Sequence, residues 1–288
     1  MENTEVGIIL EGGAMRSVFS AGVLDCFLDS DIRIPNIIAV SAGAYTGMNY
    51  VSGQKGRIMQ SVVYPLKEYK YMGMKPFLKK GTFFDMDFLF DEVQRKRAPY
   101  DFGRLKEFAG RFMLSTVDML TGEVLYFEDF EDEDEYFKVL RAANSLPLIA
   151  KISDIGGRPL MDGGVADAIP VTKALEEGWK KLIVVLTKDA SYRKKPSGFW
   201  YNKLLAWVYR KYPAFVKAAL ERHNPYNEAL DTIAQMEQAG RAFVFRPTDV
   251  VVGNSECNVQ KLEEYYRHGY DMASERLDEL KAFLADEN

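Results

Sequence analysis

The stretch that decides the fold opens with Val6-Gly7-Ile8-Ile9-Leu10, turns through Glu11-Gly12-Gly13-Ala14-Met15-Arg16-Ser17, and returns as Asn36-Ile37-Ile38-Ala39-Val40-Ser41-Ala42-Gly43. Both apolar runs are short and stop at glycine or other small residues, the pattern of a strand buried on both faces. Between them Val18, Ala21, Leu24, Phe27 and Leu28 recur at helical spacing, and Ala42 to Val51 reads as a second helix. The first fifty residues therefore read β-loop-α-β-turn-α. Strands joined by crossover helices run parallel, so an α/β sheet is expected.

Further along, Arg111 to Val117 and Glu123 to Phe127 read as two strands joined by a turn at Leu120-Thr121-Gly122. The acidic run from Glu128 to Glu135 reads as a solvated loop or helix start, since it lacks the spacing and turn glycine of a calcium loop. Leu182 to Thr187 is another buried strand, and Arg241 to Phe245 is the expected last one. Asn258 to Leu284 repeats apolar residues over one long amphipathic closing helix.

The chain has 288 residues, 47% of them hydrophobic, enough for a substantial core. No repeat or low-complexity linker interrupts it, so a single domain over 1–288 is expected. Its net charge of −5 argues against general nucleic-acid binding, which needs a basic face. The two cysteines, Cys26 and Cys257, have no CxxC spacing and suggest a reducing compartment without disulfides. The first residues lack a basic signal-peptide region, and no run of about 18 apolar residues is present to span a bilayer. A cytoplasmic protein is expected.

Three motifs carry chemistry. Ala39-Val40-Ser41-Ala42-Gly43 stands between strand and helix, where a strained turn can expose a serine hydroxyl above a sheet. Such a turn needs small residues two before and two after the serine, and Ala39 and Gly43 supply them. Gly12-Gly13 lets the backbone aim its N–H groups at an anion, a phosphate or a developing oxyanion. The spacing fits neither a dinucleotide fingerprint nor a phosphate loop. Leu160-Met161-Asp162-Gly163-Gly164 places an acid at the end of an apolar run. Taken singly, each has a plain structural alternative: a small-residue turn, a tight strand-to-helix turn, a solvent-facing turn aspartate.

In this order and company the three motifs resemble the patatin-like phospholipase family, over roughly residues 6 to 187. The first motif is most similar to bacterial members reading Glu-Gly-Gly-x-Met-Arg. The resemblance implies a patatin-like three-layer sandwich, with a central, mainly parallel sheet and a helical C-terminal region. It implies a serine acyl hydrolase that cleaves carboxylic esters of lipids with a Ser-Asp dyad. Ser41 takes the nucleophile position and Asp162 the base. Gly12, Gly13 and Ala14 take the oxyanion loop, Arg16 its basic position, and Gly163 and Gly164 the glycines after the aspartate. The chain departs from the family pattern at Ala14 and Ser17, where glycine is frequent, and at Ala39, the elbow's usual first glycine. Asn144-Ser145-Leu146-Pro147 also resembles the segment before the aspartate strand. The resemblance requires no histidine, cofactor or metal; His223 and His268, in the helical C-terminal third, read as surface or helix residues. The alternative is a non-catalytic lipid-binding or regulatory protein on the same fold.

Residues 193–222 hold eight basic residues against Glu221 alone, interleaved with Phe199, Trp200, Tyr201, Trp207, Tyr209, Tyr212 and Phe215. Such a segment, within a helical cap or insertion over 193–240, suits peripheral contact with an anionic membrane. An amphipathic helix pair packed on the core is the alternative. Lys67 to Phe84, a smaller basic-aromatic stretch, is a candidate for part of the same lid.

Overall fold

The computed structural model describes residues 5–249 and 251–286. Strand β1 (Val6–Leu10) leads through helix α1 (Ser17–Asp29) to β2 (Asn36–Val40), and α2 (Gly43–Val51) follows at once. The expected opening order is thus the observed one. A helical excursion contains α3 (Met74–Lys80) and α4 (Phe102–Glu107), and brings the chain to β3 (Arg111–Asp118) and β4 (Val124–Phe127). Then come α5 (Glu133–Ala143), β5 (Ser153–Ile155), β6 (Arg158–Asp162), α6 (Val171–Glu176) and β7 (Lys181–Val185). The C-terminal part holds α7 (Phe199–Val208), α8 (Pro213–Glu221), α9 (His223–Gln238), β8 (Ala242–Phe245), α10 (Val259–Glu275) and α11 (Leu277–Ala285).

The strands form one sheet in the order β5-β6-β3-β2-β1-β7-β8, with β4 also paired to β3. β8, β7, β1, β2 and β3 run parallel, while β4 and β6 are antiparallel to β3 and β5 is antiparallel to β6. Side chains alternate between faces. Ile8, Leu10, Ile37, Ala39, Phe112, Leu114, Ile183 and Val185 pack in one core with α1, α2, α5 and α10. Ile9, Ile38, Met113, Leu182 and Val184 pack in a second with α6 and α9. A third, smaller cluster joins Val117, Met161 and Val165 to Leu205, Tyr209 and Phe215 of the α7–α8 pair. The architecture is therefore a three-layer α/β sandwich with a central, mainly parallel sheet.

Helix α1 is buried along almost its whole length because α10 covers its outer side. The two backbones approach closely: a Cβ on Gly22 would lie 2.1 Å from the Tyr266 carbonyl oxygen, and one on Gly269 would lie 2.1 Å from that of Phe19.

The closing helix differs from its expected form. It is two helices, broken at Arg276, whose backbone leaves the helical region at φ −101°, ψ 14°. The Arg276 guanidinium donates to the Val244 carbonyl at 2.7 Å and lies 4.2 Å from the Phe243 ring centroid. Those contacts with β8 coincide with the break, and apolar periodicity carries no sign of them. The acidic run starts α5, with Asp132 accepting from the Glu135 amide as its cap. Such a cap satisfies a helix-end donor and places negative charge at the positive end of the helix dipole.

Candidate active site

Strand β3 brings the two chemical motifs together. Its Ser115 pairs with Val40, and its next residue, Thr116, pairs with Asp162. Ser41 follows Val40 directly, so the end of β2 and the end of β6 meet at neighbouring positions along β3. Close approach there depends on glycine: a Cβ on Gly163 would lie 2.6 Å from the Ser115 hydroxyl.

Ser41 has φ +53°, in the left-handed region that non-glycine residues rarely occupy. The chain reverses there from β2 into α2, and Gly43 faces the Leu10 carbonyl, where a Cβ would be 2.7 Å from the oxygen. The small residue two after the serine is thus required by the packing of α2 against β1. Ala39 is fully buried between layers.

Asp162 is fully buried. Its Oδ1 accepts from the Gly164 amide at 2.8 Å, while Oδ2 has no well-formed hydrogen bond. Burial pushes its carboxyl up to about 6; the adjacent Ser41 hydroxyl, the Gly164 amide, and the Arg222 and Lys194 cations pull the other way. A buried aspartate half ionised near pH 6, with one oxygen open beside a serine hydroxyl, is equipped to accept a proton.

The Gly12-Gly13-Ala14 loop lies against the serine, a Cβ on Gly12 falling 2.6 Å from the Ser41 Cβ. Among the described residues, the amides of Gly12, Gly13 and Ala14 donate to no backbone carbonyl, whereas the neighbouring Glu11, Met15 and Arg16 amides do. Ala14 is itself at φ +49°. Ser17, another departure, is buried and donates its hydroxyl to the Ala14 carbonyl at 2.8 Å.

Two cavities flank Ser41. One, about 440 Å³, is polar; Gly12, Gly13, Ser41 and Asp162 line it with Arg16, Lys188, Lys194 and Arg222. The other, about 60 Å³, is apolar, lined by Ala42, Tyr45, Ile58, Tyr71, Leu89 and Phe90 among others. Ala14, Phe84 and Leu146 belong to both, so they stand at the divide between them. A larger groove of about 730 Å³ near Val6, Arg33 and Arg104 contains neither Ser41 nor Asp162.

Several residues of the polar cleft escape sequence reasoning. Glu11 is buried and accepts from the Thr187 amide at 2.5 Å, the Thr187 hydroxyl at 3.0 Å and the Tyr226 hydroxyl at 2.7 Å. It ties the end of β1 to the end of β7 and to α9. Its place before Gly12-Gly13 was the one local signal. Lys188, just after β7, has no motif to mark it, while Lys194 and Arg222 belong to the basic-aromatic segment 193–222, whose composition suggested a membrane surface and gave no sign that these two line the cleft. His223 and His268 do not line the cleft; His268 accepts from the Thr248 amide at 3.1 Å and packs on Phe19. Among the described residues no group of three or more His, Cys, Asp or Glu is placed to hold a metal ion, and no helix is long and apolar enough to cross a membrane.

The family model described as patatin-like phospholipase matches residues 8–175, and a domain of unknown function, DUF6363, matches residues 212–285. The chain is 24% identical to the Escherichia coli protein YjjU over 208 residues, covering 70% of this chain and 57% of that protein. It is 21% identical to lysophospholipase NTE1 of Meyerozyma guilliermondii and 20% identical to that of Candida albicans, in each case over 98% of this chain and 20% of the relative. The chain thus spans little more than half of the first relative and a fifth of the other two. Among solved structures, VipD of Legionella pneumophila aligns with a TM-score of 0.47 at 11% identity, over 96% of this chain and 67% of that one.

Proposed function

The chain belongs to the patatin-like phospholipase family, whose members act as lipid hydrolases, and on that premise we propose that it is a serine acyl hydrolase using Ser41 and Asp162. The observation that carries this reading is the buried Asp162 carboxylate, with its open oxygen beside the strained Ser41. A buried, incompletely bonded acid is costly to a fold. A protein that only held lipid would have no use for it.

In this mechanism Asp162 takes the Ser41 proton as the hydroxyl oxygen attacks the ester carbonyl. The carbonyl oxygen becomes an anion facing the free amides of Gly12, Gly13 and Ala14. Removal of one such donor costs roughly 3–4 kcal/mol of transition-state stabilisation in acyl-transfer enzymes. The tetrahedral species collapses, the ester C–O bond breaks, and Asp162 returns its proton to the departing alcohol. Water then attacks the acyl-serine, with Asp162 again as base. No histidine is needed, because the aspartate stands beside the serine. Arg16 supplies positive charge to the cleft without taking part in proton transfer.

The acyl chain is proposed to enter the apolar cavity and the alcohol portion the polar cleft. We also propose one domain over 1–288, since β8 pairs with β7 and α10 packs on α1. Residues 193–240 cap it. Within that cap α7 exposes Phe199, Trp200, Leu204 and Trp207, with Lys203, Arg210 and Lys211 nearby in the chain. This supports peripheral contact with an anionic membrane.

A labelled fluorophosphonate tests the nucleophile. It is expected to modify Ser41 in the wild type and to leave Ser41→Ala unlabelled. Labelling of both proteins alike would refute the assignment. Flotation with anionic vesicles tests the membrane contact, and binding indifferent to lipid charge would refute it.

A further inference from the structure

The polar cleft has a strong charge imbalance. Arg16, Lys188, Lys194 and Arg222 line it, against the carboxylates of Glu11 and Asp162. Glu11 is spent on Thr187 and Tyr226, with both oxygens engaged. None of the four cations forms an ion pair among the described residues. Arg222 donates to the Gly164 carbonyl at 3.0 Å, yet its Nε and that of Arg16 are buried without a partner. Unneutralised cations converging on one cleft repel one another, and an anion placed among them relieves that repulsion.

The aromatic walls narrow the choice of anion. Tyr192 and Tyr226 line the same cleft and could in principle hold a quaternary ammonium on their faces. Each ring already carries a lysine over one face: Lys188 Nζ lies 4.7 Å from the Tyr192 centroid, and Lys194 Nζ lies 4.4 Å from that of Tyr226. A choline group would meet cations there. On the other side of Ser41 the cavity is apolar. The reacting ester therefore lies between an apolar pocket and a cationic one.

We propose that Lys188, Lys194 and Arg222, together with Arg16, form a head-group subsite that selects esters carrying a net-negative phosphate over zwitterionic and neutral ones. This rests on the assignment of Ser41 as nucleophile and adds the substrate's charge to it. Three of the four residues lie beyond the 8–175 match, so the selectivity is built by the C-terminal part of this chain.

The test uses three soluble substrates with the same short acyl chains: a glycerol phosphate monoester, a glycerophosphocholine and a neutral glyceride. Each is kept below its aggregation concentration, so that no lipid surface contributes. The wild type is expected to show kcat/KM at least about tenfold higher for the phosphate monoester than for the choline ester, the scale of one charge-assisted hydrogen bond. In Lys188→Gln/Lys194→Gln the ratio falls towards one. Equal rates for the three substrates, or a preference for choline, would overturn the proposal without any variant. Calorimetric binding of the same compounds to Ser41→Ala reads selectivity apart from chemistry. Selective binding without hydrolysis by the wild type refutes the hydrolase and supports the subsite. Hydrolysis without selectivity refutes the subsite and supports the hydrolase.

Discussion

Replacing Asp162 by asparagine should abolish hydrolysis and make the protein more stable. Burial raises the carboxyl from 3.8 to about 6. The folded protein therefore holds this proton more tightly than the unfolded chain. As pH rises from about 4 through 6, the unfolded state gives up its proton first, so folding stability falls, then levels off once both states are ionised. A shift of about two units at 1.36 kcal/mol each makes the ionised carboxylate cost about 3 kcal/mol above pH 7. Asparagine has the same shape and no charge. Its Oδ1 can keep the Gly164 amide bond, and its Nδ2 takes the place of the unpartnered oxygen. Urea titrations of wild type and Asp162→Asn at pH 5 and pH 8 give the measurement. The variant should gain up to about 3 kcal/mol at pH 8, or about 6 °C in Tm for a chain of this size, and clearly less at pH 5. Burial also raises Asp25 and Asp167, but both proteins carry them, so the difference isolates position 162. A variant less stable at pH 8, or a difference independent of pH, would refute the reasoning.

Hydrolysis of a neutral ester should rise with pH through about 6, as Asp162 becomes a competent base, and kcat/KM against pH reads that limb. For phosphate-bearing esters a second limb should fall near 8, where Lys194, its pKa lowered by burial and by the neighbouring Arg222, loses its charge. Gly12→Ala should lower kcat by about 100-fold, because its Cβ would come within 2.6 Å of the Ser41 Cβ and 2.9 Å of the Val40 oxygen and push the serine out of line; steady-state kinetics check it. Gly269→Ala should destabilise the fold by about 1–3 kcal/mol in urea titration, since α10 must move away from the Phe19 carbonyl. Trp200→Ser/Trp207→Ser should weaken binding to anionic vesicles by about tenfold or more while leaving Tm nearly unchanged, as the two side chains are 79% and 67% exposed. Co-sedimentation and thermal melts measure the two effects.

Much of the layout could be read from one strand or one turn at a time. Short apolar runs mark β1, β2 and β7 because strands buried on both faces need no alternation. Small residues at 39 and 43 mark the turn at Ser41 because strand and helix approach closely there. The order of the Gly12-Gly13, Ser41 and Asp162 motifs pointed to the family and its chemistry. These signals are local, written in the residues that need them.

The tertiary structure decided what depends on distant segments meeting. Register along β3 sets Asp162 beside Ser41, and no spacing between residues 41 and 162 encodes that register. Burial raises the aspartate's pKa, a property of everything packed around it rather than of its own neighbours in sequence. Lys188 looks like an ordinary basic residue, and Lys194 and Arg222 like parts of a basic surface segment, until the turns after β7 and α8 bring them to one cleft with Arg16. The break at Arg276 coincides with contacts to β8, where Val244 lies 32 residues earlier, which apolar periodicity cannot report. The sequence by itself determined which chemistry the chain could carry; only the fold decided that its serine, its acid and its cations face a common space.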